Sequence, residues 1–236
     1  MGDTLASEWP MWRPDLKGTT AVDVQIGWSV DTTFDKLWGP GSEFSAHVRE
    51  ARNIGEYQEG PWVRDDKLFQ SLLDGDQDRT PTTPRKFERA ADYEGYGRKV
   101  SFSQPGTGGV LRSTFHNEEL QRCVEAVEGD HYLMHCCVAT NAPYGDRVRI
   151  VLEYSLSAAE SPDGSPACNL RVSYVPVYIR PTNGVLRNMI KAGIDSGVRK
   201  NFSTLRDLLA ELVDVRDNEP EGRAAEPTAH EAAARP

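Results

Sequence analysis

Residues 184–213 read GVLRNMIKAGIDSGVRKNFSTLRDLLAELV. Apolar residues recur in this stretch every three or four positions, which is typical of one face of an α-helix and predicts a helix from Gly184 to Val213. This face is apolar over nearly its whole length, so it must lie against a broad apolar surface. Its residues are Val185, Leu186, Met189, Ile190, Ile194, Val198, Phe202, Leu205, Leu209 and Leu212.

Strand signals before this helix predict the surface that it covers. Apolar and polar residues alternate over Val22–Ile26, and two short helices are predicted next, one capped by Asp31 and one over Glu43–Arg52. Further strands are predicted at 98–103, 111–117, 121–127, 132–140, 147–157 and 167–179. Turn sequences such as Glu128-Gly129-Asp130 connect several of them as hairpins. We therefore predict an α+β helix-grip fold, in which a curved antiparallel β-sheet wraps around a long C-terminal α-helix, with two short helices after the first strand.

The ends of the chain and one internal stretch do not follow this pattern. Residues 1–19 predict an irregular leader whose tryptophans pack back on the domain, and residues 20–213 predict the folded domain. Within it, residues 65–92 are rich in charge and proline and predict an inserted surface loop. Residues 214–236 have almost no large apolar side chain and predict a disordered tail.

Composition narrows the possible functions. The formal net charge is −9, which opposes general nucleic-acid binding because that needs clustered Lys and Arg. No run of about 18 apolar residues predicts a membrane span, and the N-terminus has no signal-peptide pattern. Cys123, Cys136, Cys137 and Cys168 form no Cys-x-x-Cys pair, so we expect buried free thiols in a reducing compartment, and neither metal nor cofactor. The expected location is cytoplasmic.

A motif near the C-terminal half carries a family resemblance. Ala142-Pro143-Tyr144-Gly145-Asp146 precedes a long strand, Cys168-Asn169-Leu170-Arg171-Val172 lies in a later strand, and Tyr178-Ile179-Arg180-Pro181 precedes the last helix. In these features the chain resembles the VASt domain family, a branch of the START-like helix-grip folds. The resemblance implies a lipid-binding domain over residues 20–213 that binds sterols or related lipids and moves them between membranes. It implies a sterol or other hydrophobic small molecule as the partner.

A space between a curved sheet and a long helix is suited to a hydrophobic ligand. The predicted wall residues are Met134, Ile150, Leu152, Tyr154, Leu170, Val172 and Tyr174 on strands, and Met189, Ile190, Gly193, Ile194 and Gly197 on the helix. Tyr154 or Tyr174 would supply a polar contact. Two interpretations of the helical glycines stay open: they leave room for a ligand, or they allow close packing of helix on sheet.

A membrane-facing lid is the second predicted site. It comprises Gly39, Pro40, Gly41 and Phe44, with Trp62 nearby, and ordinary loop packing is the alternative. Basic residues near the last helix, among them Arg180, Arg187 and Lys191, would face acidic headgroups at the membrane surface. The protein would then associate transiently and peripherally with membranes.

Two other functions compete with lipid binding. An enzyme would need an acid–base pair in the pocket, with His116 or His135 as the candidate base, but no catalytic motif occurs and we predict no catalytic residue. A protein-interaction or regulatory module would have the same fold with a closed, filled interior. The sequence carries no signal for the oligomeric state.

Overall fold

The structure is a computed structural model, and it describes residues 9–64, 87, 89–106 and 114–218. Eight strands form a single antiparallel sheet with the order β2-β3-β4-β5-β6-β7-β1-β8. The strands are β1 (Thr19–Ile26), β2 (Gly55–Glu59), β3 (Gly97–Pro105), β4 (Thr114–Val127), β5 (His131–Thr140), β6 (Val148–Glu160), β7 (Pro166–Tyr178) and β8 (Val215–Asp217).

Within the described ranges, three α-helices accompany the sheet: α1 (Val30–Trp38), α2 (Glu43–Ala51) and α3 (Gly184–Leu212). The α1 cap differs from the prediction, because the side chain of Ser29 accepts the hydrogen bond from the Thr32 backbone N–H. Asp31 instead accepts hydrogen bonds from the Tyr132 hydroxyl and the Gly129 backbone N–H. Short 3-10 helices occur at Ala90–Tyr93 and Gly145–Arg147.

The concave face of the sheet holds the main core, with α3 packed across it. Strand residues such as Val24, Leu170 and Tyr132 share one hydrophobic cluster with Phe202 and Leu209 of α3. The fold class is therefore confirmed: a curved antiparallel sheet grips a long C-terminal helix, and two short helices follow the first strand.

A smaller cluster lies on the opposite, convex face. It contains Leu120, Cys137 and Val151, and Trp9 and Trp12 of the leader pack against it. Cys136 belongs to the main core, so the two adjacent cysteines lie on opposite faces, as the period of a strand requires. All four cysteines are buried and free, as predicted.

Three predicted boundaries differ from the structure. The tail prediction began at 214, but residues 215–217 form β8, because β1 has an open edge whose backbone groups pair with it. The inserted loop was predicted to reach 92, but Ala90–Tyr93 is a 3-10 helix whose Tyr93 is buried among aromatic rings. Residues 114–117 and 121–127, which were predicted to lie in two strands, belong to one strand, β4. Residues 1–8, 65–86, 88, 111–113 and 219–236, the rest of these predictions, lie outside the described residues.

Candidate functional site

One end of the space between sheet and α3 is hollow. A cavity of about 500 Å³ lies there, between the ends of β3, β4, β5 and β6 and the N-terminal half of α3. Its lining is mainly apolar. The lining residues are Gln104, Pro105, Gly106, Phe115, Asn117, Val138, Thr140, Ala142, Pro143, Tyr144, Gly145, Val148, Ile150, Met189, Ile190, Gly193, Ile194, Gly197, Val198 and Asn201.

The two glycines of α3 face open space. A Cβ atom built on Gly193 or Gly197 would meet no atom within 4 Å outside its own neighbourhood. Close packing of helix on sheet does not explain these glycines, because the sheet is too far away to exclude a side chain. Both residues line the cavity, and the missing side chains enlarge it.

The first turns of α3 expose apolar side chains. Val185 is 84% exposed and Met189 is 54% exposed, whereas Phe202 and Leu209 further along the helix are buried. The predicted apolar face is thus exposed at Val185 and Met189, but it is already buried at Ile190. Met189 borders the hollow end.

The loop before β6 lines one side of the cavity and is tightly constrained. Tyr144 has a φ of 67°, in the left-handed region of backbone conformation. A Cβ atom on the next residue, Gly145, would lie 2.0 Å from the Thr140 carbonyl oxygen, so only glycine fits at position 145. Asp146 accepts a hydrogen bond from Arg180 at 2.9 Å, which connects this loop to the segment before α3. The Pro-Tyr-Gly-Asp motif therefore has a structural role and also lines the cavity.

Polar groups gather at the inner end of the cavity, where β3 and β4 face α3. The Asn201 Oδ1 atom accepts hydrogen bonds from Gln104 Nε2 at 3.0 Å and from Arg52 Nε at 3.2 Å. Asn117 is buried and donates to the Phe115 carbonyl. The sequence analysis did not identify these residues. Asn201 occurs one turn after Gly197 on the same helical face, and that spacing is the signal that points to it.

Six of the twelve predicted wall residues line the cavity: Ile150, Met189, Ile190, Gly193, Ile194 and Gly197. The other six lie elsewhere in the core. Met134, Leu152, Leu170, Val172 and Tyr174 are buried in the filled part under the later turns of α3, and Tyr154 borders a smaller pocket beside α2. Strand alternation identifies the face of a residue but not its distance along the strand from the hollow end.

Tyr154 and Tyr174, the predicted polar contacts for a ligand, interact with other residues of the protein. The Tyr174 hydroxyl donates to Asp195 Oδ1 at 2.8 Å, which ties the sheet to α3. Burial, followed by this hydrogen bond, raises the pKa of Tyr174 to about 12. Tyr154 packs its ring between Trp38 and Phe202, away from the larger cavity.

The predicted lid residues do not border the cavity. Phe44 is 4% exposed and packs edge-on against Trp28, and Trp62 is 8% exposed with Tyr93 and Arg98 against its ring. Gly39, Pro40 and Gly41 form the connection between α1 and α2. This burial does not fit a lid that inserts Phe44 or Trp62 into a membrane, because both rings complete the core.

Chemically reactive groups lie away from the cavity. Its lining, among the residues that the structure describes, contains no His, Cys, Asp, Glu, Lys or Arg. His135 lies on the convex face of β5, with Nε2 3.3 Å from the Glu153 carboxylate, and His116 is exposed near Glu56. Over the described residues, no three His, Cys, Asp or Glu side chains are placed to hold a metal ion.

None of the helices in the described part of the chain is long and apolar enough to cross a bilayer.

The chain is 26% identical over 210 residues to a C2 and GRAM domain-containing protein of Arabidopsis thaliana, covering 88% of this chain but only 18% of that relative. Among solved structures, the Mll3558 protein from Rhizobium loti aligns with 11% identity over 81% of this chain and 96% of its own, with a TM-score of 0.35. A conserved protein from Geobacillus kaustophilus aligns with 8% identity over 68% and 98%, with a TM-score of 0.29. Both scores are too low to support any conclusion.

The family assignment rests on a longer match. The sequence model of the VAD1 Analog of StAR-related lipid transfer domain, VASt, matches residues 20–197, which is about three quarters of the chain. The match includes every strand from β1 to β7 and the glycines of the cavity. It ends within α3, four residues before Asn201. The chain belongs to the VASt family of START-like lipid-binding domains.

Proposed function

We propose that this protein binds a sterol or a similar lipid, without catalysis, in the cavity between the sheet and the N-terminal half of α3. One observation carries the proposal: the cavity is apolar, and both helical glycines on its wall face empty space. Each glycine costs about 1 kcal/mol relative to alanine in a helix interior. Because packing does not require glycine at either position, this loss of helix stability favours the interpretation that both positions leave room for a ligand.

The size and the chemistry of the cavity support this ligand class. Its volume of about 500 Å³ lies within the range of small-molecule sites, roughly 300–1,000 Å³. Removing apolar surface from water contributes roughly 25 cal/mol per Å², so a guest with a large apolar surface needs few polar contacts. The polar groups at the inner end would orient it.

We further propose that the cavity mouth contacts a membrane surface transiently and that the bound lipid passes between membranes. Met189 is exposed on the cavity wall and Val185 is exposed one turn earlier. Arg187 and Lys191 lie on the same helix turns. Apolar tips flanked by basic side chains suit an interface with anionic headgroups. The four buried cysteines are free thiols, which supports a location in a reducing compartment such as the cytoplasm.

The two competing functions fit the site less well. A closed interaction module requires a filled interior, and the hollow end of the grip is not filled. A catalytic cavity requires an acid–base pair, and the described lining offers only amides, hydroxyls and apolar groups.

Native mass spectrometry of the purified protein, followed by lipid extraction, tests the proposal. We expect a stoichiometric co-purified lipid, or uptake of a fluorescent sterol from vesicles by protein that is purified empty. Protein that carries no lipid and takes up neither sterols nor phospholipids contradicts the proposed function and favours the interaction module.

A further inference from the structure

Polar side chains meet at the inner end of the cavity, whose other lining residues are mainly apolar. Asn201 borders both the apolar cavity and a neighbouring pocket of about 120 Å³ between α2 and the sheet. Its Oδ1 atom accepts from Gln104 on the cavity side and from Arg52, the residue that follows α2. The amide thus lies between the apolar cavity and a pocket whose lining mixes apolar side chains with charged ones such as Arg52 and Glu119.

The orientation of the Asn201 amide is determined by Arg52. A guanidinium group only donates hydrogen bonds, so the atom that faces it must be the Asn201 oxygen and not its nitrogen. The amide nitrogen consequently points elsewhere, and it has no hydrogen-bond partner among the residues that the structure describes. Two N–H donors therefore remain available where the cavity and the pocket meet.

Arg52 forms no salt bridge with any residue that the structure describes. Only its Nε atom has a hydrogen bond, and no carboxylate of the described chain lies within 4.0 Å of the guanidinium. Glu119, which lines the same pocket as Arg52, accepts a hydrogen bond from Gln121. Desolvation lowers the pKa of Arg52, although Tyr154 and Glu119 oppose this shift. An anion beside it would relieve this cost.

We propose that the preferred ligand is a lipid acid, whose carboxylate lies at the inner end of the cavity, accepts hydrogen bonds from the Asn201 amide and is balanced by Arg52. This inference rests on the proposed function and specifies the ligand class. The hydrocarbon part would fill the apolar cavity beside Gly193 and Gly197. A carboxylate has acceptor oxygens for both an amide N–H₂ group and a guanidinium, and its compact head group suits the small space beside Asn201.

Paired ligands that differ only in the head group test the ligand class. Oleic acid and oleyl alcohol are titrated at pH 8, below their aggregation limits, against protein that carries a displaceable fluorescent sterol. We expect the acid to bind at least tenfold more tightly than the alcohol, which corresponds to about 1.4 kcal/mol. Arg52→Met is expected to remove this preference, so that the acid and the alcohol bind the variant with equal affinity.

Two further variants separate the charge effect from a folding defect. Asn201→Asp replaces the donor amide with a carboxylate that still accepts from Arg52, so it should fold and should lose acid binding selectively. Arg49→Met is the matched control, because Arg49 stacks on Tyr57 and bonds to Ser45 but makes no contact with Asn201. It should keep the tenfold preference.

Equal affinity of the wild type for acid and alcohol overturns the inference but leaves lipid binding intact. So does a preference for the acid that survives Arg52→Met, because the charge would then come from elsewhere. If the wild type binds neither compound and no sterol, both the inference and the proposed function fail.

Discussion

Gly193 shows how one residue decides between packing and binding. A helix interior favours almost any residue over glycine, and nothing in the described structure crowds this position. A larger side chain here would occupy the cavity and not displace the sheet. Such a substitution should therefore lower the lipid affinity without lowering the free energy of unfolding.

We expect Gly193→Leu to reduce lipid uptake at least tenfold while the melting temperature stays constant or rises by a few degrees. Leucine removes the glycine cost of about 1 kcal/mol and fills ligand space. Ala192→Leu is the matched control, since Ala192 is exposed one position away and does not line the cavity. Fluorescent-sterol binding and thermal melts measure both effects. Parallel losses of binding and stability would identify Gly193 as a packing residue.

At the scale of elements, α3 performs two tasks along its length. Its C-terminal half is anchored in the core by Phe202, Leu205 and Leu209. Its N-terminal half lies along the cavity, where Ile190 and Val198 are buried but Met189 is exposed. Asp195 provides a polar attachment between these halves, accepting from the Tyr174 hydroxyl at 2.8 Å and from Lys191 at 2.6 Å. This attachment positions the helix over the sheet without filling the space.

The Asp195 attachment should depend on pH. Burial raises the pKa of Asp195, but hydrogen bonds from Lys191 and Tyr174 outweigh burial and lower the pKa overall. The folded state therefore gains stability from the ionised carboxylate above about pH 4, and loses it as the pH falls through the lowered value. Asp195→Asn should destabilise the protein by about 1 kcal/mol at pH 7 and by much less at pH 3.

Chemical denaturation at both pH values measures this difference. Asp207→Asn is the control, because Asp207 is exposed on the same helix and contacts only Ser203. It should change stability little at either pH. An Asp195→Asn penalty that is the same at pH 3 and pH 7 would show that the carboxylate charge has no part in the attachment.

At the scale of the whole molecule, the sheet separates two hydrophobic clusters. The concave cluster surrounds α3 and adjoins the cavity, and the convex cluster is covered by Trp9, Met11 and Trp12 of the leader. The Trp12 ring also lies over Gly18, where a Cβ atom would come within 2.3 Å of it. The leader thus contributes to the fold from the face opposite the ligand site.

We expect Trp9→Ala combined with Trp12→Ala to lower the melting temperature by roughly 5–10 °C and to leave lipid affinity within twofold of wild type. Truncating two half-buried tryptophans removes about 2–4 kcal/mol of packing, but only on the convex face. Lys17→Ala, an exposed change in the same segment, serves as the control. A large loss of lipid affinity in the folded double variant would show that the two faces are coupled.

Local sequence patterns predicted the helix grip with good accuracy. Residues 184–213 predicted α3 to within one residue, because a 3.6-residue period of apolar side chains is a local property. Alternation and hairpin turns likewise predicted most strands of the sheet, and the spacing of Cys136 and Cys137 predicted opposite faces. The family motif around Tyr144 identified the lipid-binding domain without any tertiary contact.

Only the tertiary structure decided where the hollow lies and which polar groups reach it. Periodicity assigns a side chain to a face, but cavity position depends on how far each strand and helix extends past the filled core. Leu170 and Ile150 therefore looked equivalent in sequence, although one is core and the other is cavity wall. Arg52, Gln104 and Asn201 are 149 residues apart from first to last and meet only because α2, β3 and α3 converge. Local sequence patterns do not encode such long-range meetings, since they arise from the packing of whole elements.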